Sequence, residues 1–226
     1  MGRGRTGRQV LWPSPQVLVE ECREVGALGG GAALGADGAE VLALDTGPVI
    51  AVGHSMGGQV VNLLAGRHQH AVHSVVALDP AHGADESEAE VVPARLAAYR
   101  THGARAAAAF VADSFAPTSP PGLATAHVRT MLGTPDHVVV QAYAGMYTDA
   151  DAVGVRKQSE EYLRHRICPS LTVWTAGEPA TWENENLHVR GSRVDHWPDT
   201  GHYMHEERPR RTIKLIEKWA DSTLED

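Results

Sequence analysis

Apolar positions along the chain fall into two patterns, short unbroken runs and longer one-sided repeats, and their succession predicts strands separated by helices. Val49, Ile50, Ala51 and Val52 form a run without polar interruption, as in a strand buried on both faces of a parallel sheet. Val60, Val61, Leu63, Leu64 and Ala65 then suit a core helix. Further buried strands are predicted at 74–78, at 171–175 after Pro169, and at about 192–197. A helix over 206–220 closes the pattern, with Ile213, Ile216 and Trp219 on one face. Upstream, Ser14 and Pro15 open a helix carrying Val17, Leu18 and Val25, residues 26–38 dissolve into Gly and Ala as a connector, and 39–44 resume a short element. Strands alternating with helices make an α/β fold, a mostly parallel sheet with helices on both sides.

Between the second and third strands, residues 85–165 contain no good strand. Val92, Leu96, Tyr99, Gly103, Ala106 and Phe110 recur at helical spacing, and breaks at 117–122 and 133–135 divide the rest into further helices. The organisation expected is a core of residues 1–84 and 166–226 with a helical cap or lid of residues 85–165, roofing the sheet edge where ligands bind, or else a helical subdomain with no gating role.

The first strand runs straight into Gly53-His54-Ser55-Met56-Gly57-Gly58 and then into the helix. A G-x-S-x-G turn between a buried strand and a helix is a nucleophile elbow: it lifts Ser55 out of the sheet and aims the N–H groups of a helix start, Met56 first, at whatever Ser55 attacks. A phosphate-binding loop fits less well, since the stretch has no Lys of a G-x-x-x-x-G-K-[ST] frame and no G-x-G-x-x-G.

Composition narrows the partners. With 20 Lys and Arg against 28 Asp and Glu, the net charge is −8, which argues against nucleic acid or an anionic membrane. No apolar run of about 18 residues is present to span a bilayer, and Arg3, Arg5 and Arg8 are followed by no signal-peptide core. Two cysteines make no disulfide framework, so a cytoplasmic location is expected. Thirteen histidines, with His68, His70 and His73 close together, lack an H-E-x-x-H frame or paired cysteines, and neither a metal nor an organic cofactor is expected.

From G-H-S-M-G-G onward, the chain resembles the α/β-hydrolase family, whose chain order of Ser, acid and His it meets. The resemblance implies that His202, in Thr200-Gly-His-Tyr-Met-His205 after the last strand, is the base; His205 is the nearest rival. The family's commonest acid position falls on Ala180, with Glu178 and Glu183 nearby. Some members carry the acid after the strand following the nucleophile helix, where this chain has Asp79 in Val75-Val-Ala-Leu-Asp-Pro80. Asp79 is the acid expected, its alternative being to cap the loop toward His82. Lactone-cleaving members look similar around residues 171–177. In relatives, strands preceding the helix at Ser14 bring a His-Gly loop that donates a second oxyanion N–H. Those strands are expected to be missing, a shortened N-terminus that leaves Met56 N–H as the clear donor and a sheet edge open to homodimer formation, unless a partner or a rearranged N-terminal segment supplies the edge.

The resulting expectation is a serine hydrolase cleaving a carboxylic ester or lactone of a small, fairly apolar molecule with Ser55, His202 and Asp79; His54, Trp174, Trp182 and Met146 are candidate pocket residues. Carbon–carbon bond hydrolysis and acyl transfer use the same groups. A catalytically weak relative that binds a small molecule or a protein is the alternative from another class.

Overall fold

The computed structural model describes residues 48–150, 152–186 and 189–224; the elements expected before residue 48 lie outside them. Among the described residues are four strands and eight helices. β1 (Val49–His54), β2 (Val72–Leu78), β3 (Ser170–Trp174) and β4 (Arg193–His196) form one parallel sheet in the order β1-β2-β3-β4. The register aligns His54 with Leu78, Leu78 with Val173, and Val173 with Asp195, so the strands end together along one edge. β2 carries one residue more than β1 between the pairs Val49–Val72 and Ile50–Ser74, an irregularity that sends Val72 to the same side as Val75.

Each face of the sheet is covered, as the unbroken apolar runs require. Ala51, Val72 and Val75 pack against Val61, Leu64 and Ala65 of α1 (Met56–Arg67). On the other face, Val76, Leu78, Leu171 and Val173 meet Trp197, Met204, Ile216 and Trp219. The closing helix is two helices, α7 (Met204–Glu207) and α8 (Pro209–Leu224), separated at Arg208 with φ −135° and ψ 57°. Pro209 disfavours helical geometry in the residue before it and suits the first helical position itself. Within α8, Ile216 and Trp219 are buried, whereas Ile213, expected on the same face, is 40% exposed.

Between β2 and β3 run α2 (Glu86–Ala112), α3 (Leu123–Leu132), α4 (Asp136–Tyr147) and α5 (Arg156–His165), with α6 (Gly177–Asn186) following β3. This helical insertion has its own core of Val92, Leu96, Tyr99, Ala104, Ala107, Val139 and Tyr143. The single apolar face expected of its first helix changes phase at Gly103, whose φ of 52° breaks α2. Asp136 fills the space a Cβ would need there and accepts the Ala104 N–H at 2.8 Å. Beyond the kink Ala104, Ala107, Ala108 and Val111 turn inward, and Phe110 is 45% exposed. Among the described residues, no helix is long and apolar enough to cross a membrane.

Candidate active site

Ser55 sits between β1 and α1 with φ 52° and ψ −119°. Such a backbone is sparsely populated for a residue with a side chain, at a cost of about 1–3 kcal/mol that the surroundings must offset. They do so by fixing both ends of the turn: Ser55 N–H donates to Leu78 O at 3.0 Å, and Ser55 O accepts from Gly58 and Ala81 N–H, each at 2.9 Å. A Cβ on Gly53 would lie 2.1 Å from Gly57 O, so the strand end and the first turn of α1 approach each other only as glycines. Met56 is the first residue of α1, where a helix leaves its N–H groups without intrahelical acceptors.

Asp79 follows β2 and is, with Ser55, one of two non-glycine residues of positive φ among those described, at 41°. Its Oδ1 accepts from both the N–H and the hydroxyl of Thr175, each at 2.8 Å. Its Oδ2 lies 2.6 Å from His202 Nδ1, a short, charge-assisted contact between side chains 12% and 21% exposed. His202 itself is held at the backbone: its N–H donates to Ser114 O at 2.7 Å, and its carbonyl accepts from His54 Nε2–H at 2.8 Å. Among the described residues the Ser55 hydroxyl has no hydrogen-bond partner; serine–imidazole contacts in unliganded sites commonly tighten only once substrate is bound.

Rings gather around this pair. His54 lies 4.5 Å from His202, 4.5 Å from His205 and 5.3 Å from Tyr203 between centroids. Tyr203 also stacks on Phe115 at 4.7 Å and meets His127 of α3 at 4.0 Å. His127 Nε2 lies 2.9 Å from Glu206 Oε1, which holds the Glu206 carboxyl below its usual range. Burial, then the neighbouring His202 and His205, hold the His54 ring well below the usual histidine range, outweighing the hydrogen bond to the His202 carbonyl. His205 is likewise lowered, by burial and then by His202 and His127 against the pull of Glu206. A histidine whose folded value is depressed contributes stability above its unfolded value, and loses it as pH falls through the lower folded one. Melting temperature is therefore expected to fall on acidification below about pH 6.5, and less steeply in His54→Asn; equal slopes for the two proteins would show that His54 contributes nothing.

The other residues singled out by sequence have their described partners elsewhere. Trp174 donates Nε1–H to Glu183 Oε2 at 2.8 Å, Trp182 lies against Gly83 with the Arg156 guanidinium 5.0 Å from its ring, and Met146 packs on the core of the insertion. Glu178 pairs with Arg156 at 2.6 Å on the surface. Glu183 is buried, accepting from Thr172 Oγ1 at 2.7 Å with His82 Nε2 at 3.4 Å. Ala180 is buried in α6. Thr175, Ser114 and Tyr203 escaped the sequence reading; only the place of Thr175 after a buried strand hinted at it. Among the described residues, no group of three or more His, Cys, Asp or Glu is arranged to hold a metal ion.

The fold that holds these groups is shared with solved structures. The chain is similar to an esterase from Thermogutta terrifontis (21% identity over 81% of this chain and 68% of that one, TM-score 0.65). It is also similar to an esterase from Exiguobacterium antarcticum (18%, 84% and 74%, TM-score 0.67) and to an enol-lactonase from Burkholderia xenovorans (21%, 80% and 70%, TM-score 0.60). No curated protein matches the sequence. The sequence profile of the alpha/beta hydrolase family matches residues 11–215, nearly the whole chain. With the parallel sheet, its flanking helices and this match in agreement, the chain belongs to the alpha/beta hydrolase family.

Proposed function

We propose that this chain is a serine hydrolase that cleaves a carboxylic ester or lactone of a small, fairly apolar molecule, with Ser55, His202 and Asp79 as its triad. The observation that carries the reading is the 2.6 Å contact between His202 Nδ1 and Asp79 Oδ2, with Thr175 occupying the other carboxylate oxygen. With Nδ1–H donated to Asp79, Nε2 is left as the acceptor a general base requires. Ser55 Oγ attacks the substrate carbonyl carbon while its proton passes to His202 Nε2. The Met56 N–H receives the developing oxyanion, and Asp79 stabilises the imidazolium. Collapse breaks the ester C–O bond, the alkoxide takes the proton from Nε2, and water then hydrolyses the acyl-serine by the same steps in reverse.

Esterases and a lactonase among the similar structures agree with this chemistry. The helices from α2 to α5 serve as a cap that limits substrate size, and the rings of Phe115, His127 and Tyr203 give the site an aromatic wall. A fluorophosphonate probe tests the reading directly. Wild type is expected to be labelled covalently and Ser55→Ala not at all, whereas a folded wild type that resists the probe would favour a binding protein without turnover.

A further inference from the structure

We propose that Glu207 is a positioning residue for His202, clamping the loop that carries the imidazole to the root of the helical insertion. The inference rests on the hydrolase reading for its kinetic consequence, but its geometry stands apart from that reading. Glu207 is only 4% exposed, and its carboxylate faces the loop rather than solvent. Oε2 accepts the Gly201 N–H at 2.9 Å, and Oε1 faces the Ala116 N–H at 3.4 Å. His202 N–H, one residue after Gly201, donates at 2.7 Å to Ser114 O, two residues before Ala116. The segment after α2 and the segment before α7 are thus stitched together at the two peptide N–H groups that lead into His202, with one carboxylate supplying an acceptor to each segment.

The packing leaves no slack. A Cβ at position 201 would lie 2.5 Å from both Ala116 N and Glu207 Oε1 and 2.6 Å from Ser114 O. Arg208, the nearest cation in sequence, directs its Nη2 to Thr118 Oγ1 at 2.9 Å and its Nη1 to the Glu207 carbonyl at 3.1 Å. Its described hydrogen bonds therefore leave the Glu207 carboxylate to backbone amides. A buried carboxylate is costly unless such donors are fixed in place. At a helix position that an apolar residue could fill, retaining it is explained by what it orients: Gly201 immediately precedes the imidazole whose Nδ1 must stay 2.6 Å from Asp79.

The test compares full-length wild type, Glu207→Gln and Thr118→Val. Two readouts are used: the rate of covalent labelling by a fluorophosphonate, and the downfield proton resonance of the His202 Nδ1–H, assigned by its absence from Asp79→Asn. Glu207→Gln is expected to remain folded, to label roughly 10- to 100-fold more slowly, as a small displacement of a reacting group entails, and to shift or lose the resonance. Thr118→Val cuts only the Arg208 contact across the same junction and is expected to match wild type in both. An unchanged rate, an unmoved resonance, or an equal loss in Thr118→Val overturns the proposal. If Glu207→Gln does not fold, Glu207→Asp, which keeps the charge and shortens its reach, is judged by the same outcomes. A wild type that takes no label defeats the hydrolase reading alone, and the resonance then decides the clamp.

Discussion

Asp79→Asn is expected to turn over p-nitrophenyl acetate about 10⁴-fold more slowly than wild type, with the fold intact. The size follows from which way the new amide must face. Thr175 N–H is a fixed donor to Oδ1, so the Asn carbonyl has to stay on that side and the amide NH₂ meets His202 Nδ1. Nδ1 then becomes the acceptor, the ring proton moves to Nε2, and the imidazole presents a donor to Ser55 where catalysis needs a base. The rival carboxylate is on the surface, its side chain 56% exposed and paired with Arg156, and substitutions at such places shift free energies by about 0.5 kcal/mol or less. Glu178→Gln should therefore retain activity to within about twofold. Steady-state kcat for the two variants decides the matter, and an inactive Glu178→Gln beside an active Asp79→Asn would reassign the acid.

Glu183→Ala should produce the largest loss of stability, about 3–5 kcal/mol, read from the midpoint of urea denaturation. Glu183 is 1% exposed and supplies acceptors to Thr172, Trp174 and His82 at once, while Arg166, 2% exposed, lies close enough to feel its charge. Truncation leaves three donors without their partner and a buried guanidinium without its counter-charge. Glu183→Gln should cost less, about 1–3 kcal/mol, because the Thr172 hydroxyl can rotate to accept from the new amide. Burial pushes the Glu183 carboxyl up, but His82, Arg166 and Thr172 together outweigh it and hold the group below its ordinary value. Its charge thus contributes fully above the unfolded value of about 4.3 and is lost as pH falls through the lower folded one. The gap between wild type and Glu183→Gln should accordingly narrow in acid; a gap constant down to the acid transition would remove the charge from the account.

β1, β2 and β3 were legible because apolar residues dominate each of them, as in a parallel sheet buried on both faces, whereas β4, Arg193-Val-Asp-His196, has a single apolar residue and lies partly exposed. Ser55 was legible because its glycines and flanks are local. Asp79 and His202 were readable one by one, the first directly after β2 and the second in the loop between β4 and the closing helices, but a sequence separation of 123 leaves no trace of their 2.6 Å contact. What stayed hidden depends on backbone partners or on phase. Ser114 holds His202 through a carbonyl, which any residue offers. Gly103 keeps the helical spacing of its neighbours while reversing the face they bury, and Glu183 looks like any helix-surface acid until its burial is known. The split at Arg208 had a signal in Pro209, through which the helix expected over 206–220 runs without a break.

β1 and β2 are adjacent rungs of one ladder, and Ser55 N–H bonds across it to Leu78 O, the residue before Asp79. Hydroxyl and carboxylate are therefore mounted on a single stiff plate, about 4.8 Å from strand to strand, and neither can drift from the other without unzipping the sheet. The imidazole rides on a separate arm that crosses the rim of the plate. Any loosening of the molecule, by warmth or by substitution far away, reaches that arm first, and so its anchorage, more than the rigidity of the plate, sets how much disorder the reacting geometry tolerates.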